Sequence, residues 1–168
     1  MSGTGKLMIF AAWLGAALLL TWLFAGELDR RANPNQTIET ARTDEGVEVK
    51  LTRNTMGHYV ATGRINGREV RFFLDTGATH VALSRSLARA LELEEGPPTR
   101  TRTANGTITT YRTMLDRVEL GGIRLQDVTA SINPRMAGDE VLLGMSFLKN
   151  LDLIQRGDQL LLRQTGDI

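Results

Sequence analysis

Nineteen consecutive residues, Leu7 to Ala25 (LMIFAAWLGAALLLTWLFA), carry no charge. In hydrocarbon the backbone has no water to bond, so such a run must satisfy its own amides as a helix. At 1.5 Å per residue it is just long enough to cross a core of about 30 Å. Trp22 lies near its far end, where an interfacial ring is favourable. A cleaved signal peptide is the alternative, but it needs small residues at both −1 and −3. Ending at Ala25 leaves Leu23 at −3, and ending at Gly26 leaves Phe24. Residues 1–26 are therefore read as a short tail and an uncleaved transmembrane anchor. Lys6 and the amino terminus compete with Arg30 and Arg31 for the positive-inside side. The reading adopted puts the six-residue tail inside and everything after the anchor outside.

Glu27 to Asp44 lacks apolar periodicity and carries Asn33-Pro34-Asn35, so residues 27–44 read as a tether. Fully extended, it would reach roughly 60 Å. Residues 45–168 leave room for one domain of ordinary size. From Glu27 onward 19 basic side chains meet 19 acidic ones, and no Lys/Arg cluster with interleaved aromatics is present. A neutral surface of that kind argues against nucleic acid as a partner. The chain has no cysteine, which excludes disulfides, zinc-thiolate sites and a thiol nucleophile together.

Beyond the tether the pattern is one of short strands and tight turns. Val47, Val49 and Leu51 alternate with polar residues. Tyr59 to Ile65, then Asn66-Gly67, then Glu69 to Leu74 predict a hairpin with a type I′ turn. Asn105-Gly106 separates RTRTA from TITTYRT, where threonines recur on a strand-like period, and Gly121-Gly122 joins Met114–Leu120 to Ile123–Ser131. Helix is expected only in pieces: Arg85–Leu91 capped by Ser84, and a turn over Met145–Leu148. The leucine-rich stretch Leu151–Ile154 is most simply core.

The chemistry concentrates in Phe72-Phe73-Leu74-Asp75-Thr76-Gly77-Ala78, where a hydrophobic strand delivers a carboxylate directly into a small turn. Alone, Asp75 would pass for a turn-opening residue that bonds its own backbone. However, 69 positions on, Val141-Leu142-Leu143-Gly144 repeats the apolar strand ending in glycine, followed by Met145–Leu148 and the strand Gln159–Arg163.

With these two motifs and the Asn-Gly hairpin between them, the sequence from about Val47 to Arg163 resembles the retropepsin-like aspartic peptidases, and specifically their membrane-anchored bacterial relatives. The resemblance implies a mainly β fold: a retropepsin-like closed β-barrel or sandwich half, one pepsin lobe, with a short helix. It also implies that the D-T-G-A turn and the second motif (Leu142, Leu143, Gly144) face each other. Asp75 would be the catalytic carboxylate, Thr76 would hydrogen-bond the partner chain's turn, and Gly77 would let its backbone approach the carboxylates. Ala78 stands where pepsins usually carry a hydroxyl residue, which removes one hydrogen bond to the carboxylate and implies a less acidic working range. Residues Ala104, Asn105, Gly106 and Thr107 would form the flap. An ordinary surface hairpin fits the same Asn-Gly.

Hydrolysis by this chemistry needs two carboxylates sharing one proton, with one drawing a proton from water and the other donating to the carbonyl. The chain holds one Asp-Thr-Gly, so the second carboxylate would come from another copy across a two-fold interface. The implied protein is an aspartic endopeptidase that works as a homodimer on a peptide or protein substrate, needs no cofactor or metal, and is anchored once in a bacterial inner membrane with its domain in the periplasm. Leu160–Leu162 would either join the dimer interface or be plain core. Retroviral enzymes usually pair an acid after D-T-G-A with an arginine after the later glycine. Here those positions are Thr79 and Met145, so both partners are absent together. A noncatalytic peptide-binding or dimerisation module on the same fold is the rival reading. His58 and His80 have no companions at ligand spacing, which argues against a metal role.

Overall fold

The computed structural model describes residues 3–103 and 106–165. The chain runs α1 (Gly3–Ala32), β1 (Glu39–Thr43), β2 (Gly46–Thr52), β3 (Val60–Ile65), β4 (Arg68–Leu74), β5 (Val81–Ser84), α2 (Arg85–Ala90), β6 (Pro98–Thr103), β7 (Gly106–Leu120), β8 (Ile123–Asn133), β9 (Glu140–Leu143), α3 (Met145–Leu148), β10 (Asp152–Arg156) and β11 (Gln159–Gln164).

The Asn66-Gly67 hairpin forms as its residue types dictate. Ile65 pairs with Arg68, and the two turn residues take φ of 50° and 83°, as a type I′ turn requires. β9 lies parallel to β4, and β5, β8 and β7 follow in order. β7 then returns to β3 through Arg64 opposite Glu119 and Ile65 opposite Val118. Six strands thereby close on themselves, and β6 hangs outside on the first half of β7. Closure depends on Gly63, where a Cβ would stand 2.4 Å from the Glu119 carbonyl oxygen and 2.6 Å from the Phe72 ring. Inside the ring, Ile65, Phe72, Leu83, Leu115, Ile132 and Leu143 are fully buried.

TITTYRT and Met114–Leu120, read as separate strands, are one strand of 15 residues. Its buried side chains change phase after Thr110 and again after Leu115, so no single alternation runs through it. Ser84 caps α2 as expected, its hydroxyl accepting from the Leu87 amide at 3.2 Å.

A second sheet, in the order β1-β2-β11-β10, packs Val49, Leu51, Leu160 and Leu162 into the core. β11 is bonded on both edges within the chain, so Leu160–Leu162 belong to a core strand, and no edge of it is free for another copy. Leu151–Ile154 is not simply core. Leu151 is buried, but β10 is an edge strand and Leu153 is 37% exposed.

Residues 27–44, expected as an irregular tether, are structured along most of their length. α1 continues to Ala32, helped by the Glu27–Arg31 pair one turn apart at 2.9 Å, and residues 39–43 pair with β2. The chain between them is keyed into the barrel by amides rather than by apolar side chains. Asn33 Nδ2 donates to Thr62 Oγ1 at 2.9 Å. Asn35 donates to the carbonyls of Thr52 (2.8 Å) and Val60 (2.6 Å), and its Oδ1 accepts from the Thr52 amide (2.7 Å). Both asparagines are buried, and apolar periodicity could not have reported them.

A buried amide with every hydrogen-bonding group engaged is costly to delete, because its partners are left unpaired. Asn35→Ala in the full-length protein should lower unfolding stability by about 2–4 kcal/mol, measured by denaturant titration in detergent with the β-sheet circular dichroism signal. A change below about 0.5 kcal/mol would show that the amide is not structural.

Candidate active site

The parallel pairing of β4 with β9 sets Phe73 opposite Leu142 and Leu74 opposite Leu143, so the two apolar strands end side by side. One ends in Asp75 and the other in Gly144. The Asp75 amide donates to the Leu143 carbonyl at 3.2 Å, which ties the start of the turn to the end of β9. The Ala78 amide closes the turn on the Asp75 carbonyl, also at 3.2 Å. The carboxylate is half-buried, and its Oδ1 accepts from the Gly77 amide at 2.8 Å. A Cβ on Gly77 would sit 3.1 Å from that oxygen, closer than side chains normally tolerate. Thr76 and Gly77 are exposed, which leaves the tip of the turn facing outward.

Behind the turn, the start of α3 acts as a brace. Met145 and Ser146 donate their backbone amides to the carbonyls of Ala78 (2.8 Å) and Thr79 (3.0 Å), and Ser146 Oγ accepts from the Val81 amide (2.9 Å). These helix-start donors would otherwise lack partners, so one contact satisfies both segments. The approach is close enough that a Cβ on Gly144 would stand 2.4 Å from the His80 carbonyl oxygen and 2.6 Å from that of Ala78. Gly144 is required by crowding, since its φ of −88° is open to any residue. Nothing in the sequence singled out Ser146, because a lone serine after glycine has no spacing signature.

Thr79, His80, Met145 and Ser146 line one side of a cleft of about 420 Å³ whose other side is Leu125–Thr129. His80 lies beside the turn, its Nδ1 buried and without a partner among the described residues. His58 is exposed and tilts against Phe73, ring centroids 4.7 Å apart. Among the described residues no group of three or more His, Asp or Glu side chains is arranged to hold a metal ion.

The expected flap corresponds to the hairpin of β6 and β7. Ala104 and Asn105 lie outside the described residues, whereas Gly106 and Thr107 begin β7, with Gly106 opposite Thr103. Thr101 and Thr110 share a hydroxyl hydrogen bond at 2.7 Å across the hairpin. Its base is fixed where Gly96 donates to the Arg112 carbonyl and Arg112 to that of Pro97. Arg85, on α2, covers the Tyr111 ring at 4.8 Å while bonding both carboxylate oxygens of Glu95 at 2.6 and 2.9 Å. Its hydrogen bond with Glu95 holds the Arg85 guanidinium above its ordinary value.

The family model described as "gag-polyprotein putative aspartyl protease" matches residues 61–150, more than half of the chain, from β3 to just past α3. An uncharacterized protein encoded in the cobV 5′ region of a Sinorhizobium species is 29% identical over 166 residues, covering 91% of this chain and 71% of that protein. Among solved structures, a retropepsin-like aspartic protease from Rickettsia conorii superposes with a TM-score of 0.60 at 28% identity, over 75% of this chain and 92% of the other.

The brace makes a graded expectation. Gly144→Ala should cost about 2–3 kcal/mol by overpacking against two carbonyl oxygens, whereas Ser146→Ala, losing one hydrogen bond, should cost about 1 kcal/mol. Thermal unfolding of both variants checks it. Equal and small effects would contradict the close packing of turn and brace.

Proposed function

The chain belongs to the gag-polyprotein aspartyl protease family, the retropepsin-like aspartic peptidases, and on that premise we propose that it is a membrane-anchored endopeptidase whose catalytic pair forms from two copies. One observation carries the proposal: a half-buried carboxylate, Asp75, sits in an outward-facing turn braced from behind by the second motif of the same barrel. A lone carboxylate cannot both take a proton from water and give one to the carbonyl oxygen. Two carboxylates sharing one proton can, with the attacking water held between them.

In this reading Asp75 from each copy supplies half of the pair. Thr76 bonds the partner's turn, while Gly77 keeps its backbone against the carboxylates. The β6–β7 hairpin closes over an extended peptide and excludes water. The peptide lies along the cleft at the two-fold axis, its backbone pairing with the flap and alternate side chains filling pockets. α1 is long and apolar enough to cross a membrane, and the proposed orientation places the barrel in the periplasm. Because β11 is enclosed within each chain, the interface would rest mainly on the catalytic turns and flaps. Holding two copies in one bilayer raises their effective concentration, which offsets a small interface.

Two outcomes follow. Digestion of a peptide library by the full-length protein should yield defined cleavages sensitive to a statine-type inhibitor, and Asp75→Asn should reduce the rate on the order of a thousandfold with the fold intact. No cleavage by wild type anywhere from acidic to neutral pH would favour a noncatalytic peptide-binding module. The barrel released from its anchor should be monomeric and feeble at nanomolar concentration when compared with the anchored protein at matched amounts. Equal rates would remove the role given to the membrane.

A further inference from the structure

From the way the anchor enters the barrel, we infer that the substrate is a membrane-proximal stretch of another bilayer-anchored chain, selected by its height above the bilayer. The inference rests on the peptidase reading and adds its substrate class. α1 does not end at the hydrocarbon edge. It continues past Ala25 as one helix to Ala32, and its last turns are bonded to the barrel. Asp29 holds Arg71 of β4 at 2.7 Å with one carboxylate oxygen and Gln36 at 2.8 Å with the other. Asn54 donates to the Ala32 carbonyl at 3.0 Å. Immediately after the helix, Asn33 and Asn35 are buried among β2 and β3. These polar bonds tie the exposed end of α1 to β3, β4 and the segment between β2 and β3.

The strand that receives Asp29 is the one that delivers the catalytic carboxylate, since Arg71 and Asp75 are four residues apart on the same stretch. From Ala25 to Asp29 the helix rises about 6 Å, and from Arg71 to Asp75 the strand covers about 13 Å. With the side-chain bridge between them included, Asp75 lies within roughly 30 Å of the hydrocarbon edge. A free tether of the same residues would have allowed roughly twice that. A spacer held this short works against scissile bonds carried far out on a folded ectodomain. It favours extended segments close to the membrane surface.

The test uses the full-length protein reconstituted in vesicles with a single-pass reporter. The reporter carries a library-derived cleavage sequence at graded heights on rigid spacers. A second enzyme carries about twelve Gly/Ser residues inserted between Ala32 and Asn33, which keeps both buried asparagines but cuts the helix from the barrel. Wild type should cut sites placed within roughly 30 Å and lose at least about tenfold in rate beyond that height. The insertion variant should extend the range while cutting a soluble peptide at an unchanged rate. A flat height profile for wild type, or identical profiles for both enzymes with soluble-peptide cleavage intact, overturns the inference and leaves the peptidase reading standing. If neither enzyme cuts the soluble peptide, the peptidase reading falls and this inference with it.

Discussion

The structure turns on the parallel alignment of β4 with β9. Parallel neighbours cannot be joined by a short turn, so the two strands come from segments far apart in sequence. Their common direction is what allows both to end at one place. There the Asp75 amide bonds Leu143 and the Met145 amide bonds Ala78, so each segment satisfies backbone groups of the other. Gly144 makes the contact possible by having no side chain where two carbonyl oxygens converge. The barrel, closed through β3 and β7, holds this arrangement as a rigid frame. What remains outward is the tip of the turn beside the half-buried carboxylate.

Much of this was legible because the relevant signals are local. Asn66-Gly67 specified its hairpin through the positive φ of both residues, and Ser84 specified the start of α2 through its cap. The Asp75 turn and the Leu142–Gly144 motif announced themselves as apolar strands ending in small residues. Their adjacency is not a local property. It came into view through resemblance, and the strand pairing then supplied the geometry.

The misreadings share a cause. The Asn33-Pro34-Asn35 stretch reads as a tether because it lacks apolar periodicity and carries turn-forming residues. Both asparagines are buried and hydrogen-bonded, and hydrophobic periodicity says nothing about such positions. Likewise Leu151–Ile154 reads as core because its composition is apolar, whereas from Asp152 onward it forms β10, which pairs with β11 on one side and lies at the edge of the sheet. In both cases tertiary context decided the environment of residues whose local preference pointed the other way.

The central claim is that each chain contributes one carboxylate to a shared site. Vesicles prepared at constant total protein density, with Asp75→Asn chains replacing a rising fraction of wild type, test it most directly. With half the chains substituted and random pairing, activity should fall to about a quarter, because both members of a pair must carry the carboxylate. A fall to about a half, in proportion to the wild-type chains present, would mean that each chain works alone and would contradict the account.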